Sequence, residues 1–146
     1  MYNGILHAHS GLRWLVLLFL LIAIIKSFAG WLGKKEFNKS DNLIALLLLS
    51  FTHLQLIVGV IMYFISPKVL ALGDAMKDGV LRFWALEHGL TMIIAIVLIT
   101  IGRVKSKKAT DDLQKFKKGA IFYSIALLLI VWAGLMKPLM LGSGLF

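Results

Sequence analysis

The sequence contains no cysteine, and this absence narrows the chemistry that the chain can support. Without thiols there is no disulfide, no iron–sulfur cluster, no thiolate metal site and no covalently attached c-type haem. Acidic residues are also scarce, since seven Asp and Glu stand against 16 Lys and Arg. We find no paired carboxylates, Ser–His–Asp set or glycine-rich phosphate loop, which argues against hydrolysis and group transfer.

What the chain has in excess is apolar residues, which make up 60% of its 146 positions and fall into blocks. A helix needs about 20 residues to cross a bilayer, and lipid leaves no partner for an open sheet edge. Four segments qualify, and the connections between them are short, with Ser40 or Asp41 expected to cap the second helix. We therefore predict one domain, an all-α integral membrane protein with an antiparallel up-down four-transmembrane-helix bundle. The predicted spans are about 5–32, 43–65, 80–101 and 119–136.

The basic residues lie between the apolar blocks and not on an amphipathic face, so we expect lipid contacts and no nucleic-acid partner. Eleven of the 16 lie in or beside the connections after spans one and three. The positive-inside rule places these connections in the cytoplasm and both termini on the outer side of the membrane. The basic residues left for the outer side are Arg13, Lys68, Lys77, Arg82 and Lys137.

Two of the four histidines are expected at the same depth. His9 lies eight residues from the chain start, and His88 lies nine residues past Gly79, at the start of the parallel third span. With a rise of about 1.5 Å per residue, both lie roughly 12–14 Å along their helices. His53 falls about 6 Å nearer the midplane by the same rise. His7 points away from His9 around the helix and is expected at the interface.

Two charged residues inside the spans need partners. Arg13 lies one turn after His9 on the same helix face, and Glu87 precedes His88 directly. Their partners are either each other or the carboxylates of a bound cofactor. Two facing neutral imidazoles in a helical bundle without cysteine favour bis-histidine ligation of haem b. Arg13 or Arg82 would then bind the propionates, and Glu87 would accept a hydrogen bond that fixes an imidazole tautomer.

Several alternatives stay open from the residues alone. His53 would pair with His7 around another cofactor, contact a quinone, or bond across helices to a residue such as Thr91. The histidines with Met62 or Met92 would suit copper. A cofactor-free accessory or scaffold subunit of a membrane complex would also have this size and these short loops.

Three segments resemble elements of known membrane cytochromes. The stretches "HSGLRWLVLL", "LQLIVGVIMYF" and "EHGLTMIIAI" are similar to small four-span cytochrome b-like membrane proteins of bacteria and to one four-helix half of the haem A synthase family. The resemblance implies haem ligands at His9 and His88, and it matches Gln55 and Gly59 to the Gln–Gly pattern of the second helix. It thus implies bis-histidine binding of b-type haem and a place in a bacterial inner (cytoplasmic) membrane, with both termini on the periplasmic side. We expect such a cytochrome to transfer electrons between a quinol and a redox partner, or to be a haem-bearing subunit of a respiratory complex. The resemblance does not carry over the catalysis of that family, which has two such halves.

Overall fold

Four long helices make up most of the protein, which we describe from a computed structural model over residues 1–67, 69 and 72–144. The described chain is 86% helical and has no strand, which confirms the all-α prediction. Each long helix is long and apolar enough to cross a membrane. A short helix, Leu72–Ala75, precedes the third, and Lys68 lies outside the described residues. The long helices are α1 (Tyr2–Gly33), α2 (Lys39–Ile65), α3 (Gly79–Lys108) and α4 (Asp112–Met140).

The helices alternate in direction. Tyr2 at the start of α1 hydrogen-bonds through its hydroxyl to Ser66, just past the end of α2, and Ser106 near the end of α3 donates to the carbonyl of Lys115 in α4. Helix α1 packs against α2 and α4, and α3 packs mainly against α4, so α1 and α3 face each other across a diagonal. We call the end with the starts of α1 and α3 the terminal end, and the end with the 34–38 and 109–111 connections the lysine end.

Short polar side chains cap the starts of α2, α3 and α4, and the cap of α2 lies earlier in the chain than expected. Asn38, and not Ser40 or Asp41, caps α2, because its side chain and that of Asp41 each accept the other's backbone N–H. Asp111 caps α4 by accepting from the backbone of Gln114. Helices α2 and α4 therefore begin before the predicted apolar spans, since their capped polar first turns are helical as well.

Glycines let the helices approach closely in the half of the bundle nearer the lysine end. Gly30 of α1 lies against the ring of Phe116, Gly102 of α3 against Phe122, and Gly119 of α4 against Ser27. Small residues at membrane helix interfaces let backbones pack together, which replaces the hydrophobic driving force that lipid does not supply.

Helix α2 has fully buried residues only in this same half. They are Ala45, Leu48 and Thr52, and none of its residues from His53 to Ile65 is buried. In the terminal half, α2 therefore contributes partly exposed side chains to the bundle.

We expect Gly102→Ala to destabilise the protein, because the new Cβ would lie 2.7 Å from Phe122 Cβ, which cannot move without its helix. Overpacking of this kind costs about 1–3 kcal/mol. Gly89→Ala in the same helix is the matched control, since a Cβ there meets nothing within 4 Å. Thermal unfolding in mild detergent measures the difference. Equal unfolding temperatures for the two variants would contradict the close approach of α3 and α4.

Candidate functional site

The structure brings His9 and His88 together across the diagonal of the bundle. Their ring centroids lie 6.5 Å apart, with an angle of 69° between the ring planes. The two histidines therefore lie at the same level, as helical rise predicts, and α1 and α3 are rotated about their axes so that the two rings face each other. Both rings are partly buried at the terminal end.

A π-helical turn over Phe83–Glu87 directly precedes His88 in α3. Within it the N–H of His88 donates to the carbonyl of Phe83, five residues back. Such a turn holds one extra residue, so it changes the direction of the side chains that follow. The rings of Phe83 and Trp84 lie 5.8 Å and 5.4 Å from the His88 ring, which gives the imidazole an aromatic wall.

A second π-helical turn, Trp132–Met136 in α4, faces His88. The imidazole Nδ1 of His88 lies 2.9 Å from the carbonyl oxygen of Ala133. A carbonyl oxygen only accepts, so Nδ1 carries the hydrogen and donates it, and the lone pair of the neutral ring is on Nε2. Arg13 Nη1 donates to the next carbonyl, that of Gly134, at 3.3 Å.

Helix α2 contacts His9 through two residues one turn apart. Gln55 Nε2 donates to the backbone carbonyl of His9 at 2.9 Å and has a longer contact of 3.3 Å with His9 Nε2. Gly59 lies against the ring, where a Cβ would be 3.3 Å from His9 Cε1. Gln55 thus anchors the α1 backbone beside His9, and Gly59 leaves room for the imidazole.

Four buried polar atoms of this cluster have no hydrogen-bond partner among the described residues. They are His9 Nδ1, Arg13 Nε, Arg13 Nη2 and Gln55 Oε1. Buried polar groups are nearly always satisfied, so several unpaired ones in one place call for a bound partner. Imidazole nitrogens suit a metal ion, and the two free guanidinium donors suit a carboxylate.

The other residues predicted for the site lie apart from this cluster. Glu87 accepts from Arg82 Nε at 2.8 Å, with 41% and 44% of the two side chains exposed. Glu87 therefore pairs with neither Arg13 nor His88. His53 is exposed and donates from Nδ1 to the carbonyl of Leu49 in its own helix at 2.8 Å, and His7 is exposed.

Comparison with protein-family models, curated proteins and solved structures gives no significant match.

Sequence reasoning missed the contribution of α4 to the site. The backbone carbonyls of Ala133 and Gly134 accept hydrogen bonds from His88 and Arg13. Every residue has such a carbonyl, so residue types alone do not identify these acceptors. One signal was present in the sequence, namely Pro138. A proline has no N–H and so leaves the carbonyl four residues before it without its helical donor.

Sequence reasoning also missed a buried polar group at the lysine end. Arg103 is one of the eleven basic residues in or beside the connections after spans one and three, but it is 6% exposed and donates from Nη2 to Asn42 Oδ1 at 2.7 Å. Arg103 Nη1 has no hydrogen-bond partner among the described residues, and neither has the hydroxyl of the nearby Tyr123. Within the described part of the chain, no Asp or Glu forms an ion pair with Arg103. Asn42 is therefore the main compensation for a buried charge.

We expect Asn42→Leu to destabilise the protein through Arg103, because it removes the acceptor of a charge-assisted hydrogen bond. Such bonds contribute about 1.5–3 kcal/mol. Asn42→Asp places a carboxylate at the same position and should preserve stability. Unfolding in detergent should also show a smaller loss for Asn42→Leu in an Arg103→Met background. An equal loss in both backgrounds would show that Asn42 does not act through Arg103.

Proposed function

We propose that the chain is a multi-pass protein of the bacterial inner membrane that binds b-type haem through His9 and His88. Its function would be electron transfer between a quinol and a redox partner, either alone or as a haem-bearing subunit of a respiratory complex. The distribution of the lysines supports an orientation with the lysine end in the cytoplasm and both termini outside.

The observation that carries the proposal is the distance between the two imidazoles. Their centroids lie 6.5 Å apart on diagonal helices. Two imidazoles on opposite sides of one metal ion have centroids about 6–6.5 Å apart when each metal–nitrogen bond is about 2.0–2.1 Å. Ligands from different helices of one bundle are also the usual way to hold a cofactor in its core.

The unpaired polar atoms support the same ligand. When bound, haem would supply a one-electron couple at its iron. His88 offers the Nε2 lone pair because Nδ1–H is already bonded to Ala133. His9 offers a ring nitrogen, and ligation through Nε2 would replace the longer of the two Gln55 contacts while keeping the shorter one. Arg13 has two free donors for a propionate carboxylate.

The surroundings suit an apolar macrocycle. Phe83 is buried and Trp84 lies beside it, with both rings against His88. The part of α2 after Thr52 has no buried residue, so the terminal half is not filled by α2 side chains. Among the described residues no three His, Asp or Glu side chains converge on one point, so a copper site would have to rest on His9 and His88 with methionine.

Visible spectra of the protein, expressed in membranes with ample haem and purified in mild detergent, test the proposal. We expect a sharp reduced α-band and a shifted Soret band. Both should be lost in His9→Ala and in His88→Ala, because each variant removes one of the two imidazoles that would hold the haem iron. His7→Ala and His53→Ala are the matched controls and should keep both bands, since these two rings lie outside the cluster. A folded but colourless protein would overturn the haem proposal, and metal analysis would then separate a copper site from a cofactor-free subunit.

We also expect Arg13→Met to weaken haem binding without abolishing the bis-histidine spectrum. Loss of a charge-assisted bond of about 1.5–3 kcal/mol corresponds to roughly 10–100-fold in affinity. Haem titration of the apoprotein measures the change, and Arg82→Met is the matched control because Arg82 is paired with Glu87. Equal haem affinities for the two variants would show that Arg13 does not contribute to haem binding.

A further inference from the structure

Two side chains of the candidate site are held by consecutive carbonyl groups of α4. His88 Nδ1 donates to Ala133 at 2.9 Å, and Arg13 Nη1 donates to Gly134 at 3.3 Å. In a regular α-helix both carbonyls would already accept from the backbone N–H four residues later. Their availability inside a transmembrane-length helix therefore needs an explanation.

The explanation lies in Pro138. The carbonyl of Gly134 would bond to the N–H of residue 138, which proline lacks. The carbonyl of Ala133 would bond to the N–H of Lys137, but that N–H donates to Trp132 in the π-helical turn. A π-type bond from Ala133 would again need the N–H of residue 138. The missing N–H thus leaves the carbonyl of Ala133 without either helical donor, and the carbonyl of Gly134 without its regular α-helical donor.

Carbonyls in this state require other donors, because an unsatisfied backbone group in an apolar environment is costly. His88 and Arg13 supply those donors from α3 and α1. The hydrogen bond from His88 to Ala133 also acts on the imidazole. Because the carbonyl oxygen can only accept, it keeps the ring hydrogen of His88 on Nδ1.

We propose that Pro138 is a positioning residue that fixes His88 as the Nδ1–H tautomer and holds Arg13 at the same turn of α4. The tautomer part stands on the hydrogen bonding of this chain alone. That Nε2 is thereby presented to iron rests on the proposed haem-binding function. The backbone near the end of α4 would then orient both His88, a proposed haem ligand, and Arg13, a proposed propionate partner.

Replacement of Pro138 by alanine restores the missing N–H. The helix can then close its regular bonds from residue 138 to Gly134 and from Lys137 to Ala133, and the π-helical turn loses its cause. The His88 hydrogen and the Arg13 guanidinium would both lose an acceptor that is reserved for them. His88 would become free to adopt the Nε2–H tautomer.

Nitrogen NMR of the haem-free protein, labelled with ¹⁵N in its histidine rings and held in lipid nanodiscs, tests the proposal. Protonated and unprotonated ring nitrogens differ strongly in chemical shift, and the His88 signals are identified by their absence in His88→Gln. In the unsubstituted protein we expect the hydrogen on Nδ1. In Pro138→Ala we expect a mixture of tautomers or the Nε2–H form. Pro67→Ala, at the only other proline of the sequence, should leave His88 unchanged.

Either of two results would overturn the proposal. One is an Nε2–H tautomer of His88 in the unsubstituted protein. This result does not depend on whether Pro138→Ala folds. The other is a folded Pro138→Ala protein in which His88 keeps its hydrogen on Nδ1 as in the wild type. Because no haem is present, failure of this proposal is distinct from failure of haem binding. If the chain does bind haem, Pro138→Ala should also weaken its affinity about 10–100-fold, as loss of a partner behind a ligating histidine does.

Discussion

The terminal end of the bundle depends on one constraint, that a backbone carbonyl without its helical donor must find another donor among the surrounding groups. Pro138 lacks the N–H that would serve Gly134 in a regular α-helix and Ala133 in a π-type bond, and His88 and Arg13 donate to these two carbonyls. Side chains from α3 and α1 then meet at α4. The diagonal approach of His9 and His88 is thus tied to α4 by backbone chemistry as well as by packing.

The two halves of the bundle differ in how they are held together. Near the lysine end, glycines bring α1, α3 and α4 into close contact, and the buried residues of α2 are confined to that half. Near the terminal end, contacts are polar and directional, through Gln55, His88 and Arg13. Close packing in one half can hold the helices rigid, and this rigidity helps to fix the geometry of the polar contacts in the other half.

The sequence predicts the helices and the depth of their residues well, because apolar length and helical rise depend on local properties. The common level of His9 and His88 follows from the rise alone. Rotation about a helix axis is harder to predict, because each π-helical turn adds a residue that a regular period omits. Arg103, which follows the π-helical turn of α3, is buried although it belongs to a run of cationic residues. Partner choice is equally hidden, as Glu87 pairs with Arg82 and not with Arg13.

The electrostatics of the cluster argue for a ligand with carboxylates. The only acid near His88 in the sequence is engaged with Arg82, so Arg13 faces a carbonyl dipole in place of an anion. The guanidinium of Arg13 also lies 5.4 Å from the centroid of the Trp14 ring, but two of its donors have no hydrogen-bond partner among the described residues. A metal ion alone would add positive charge beside Arg13 and raise the cost of burying its guanidinium. A macrocycle with two propionates would bring anions to the guanidinium of Arg13 and a metal ion to the imidazoles of His9 and His88. One ligand of this kind would therefore pair both sets of unpaired polar atoms.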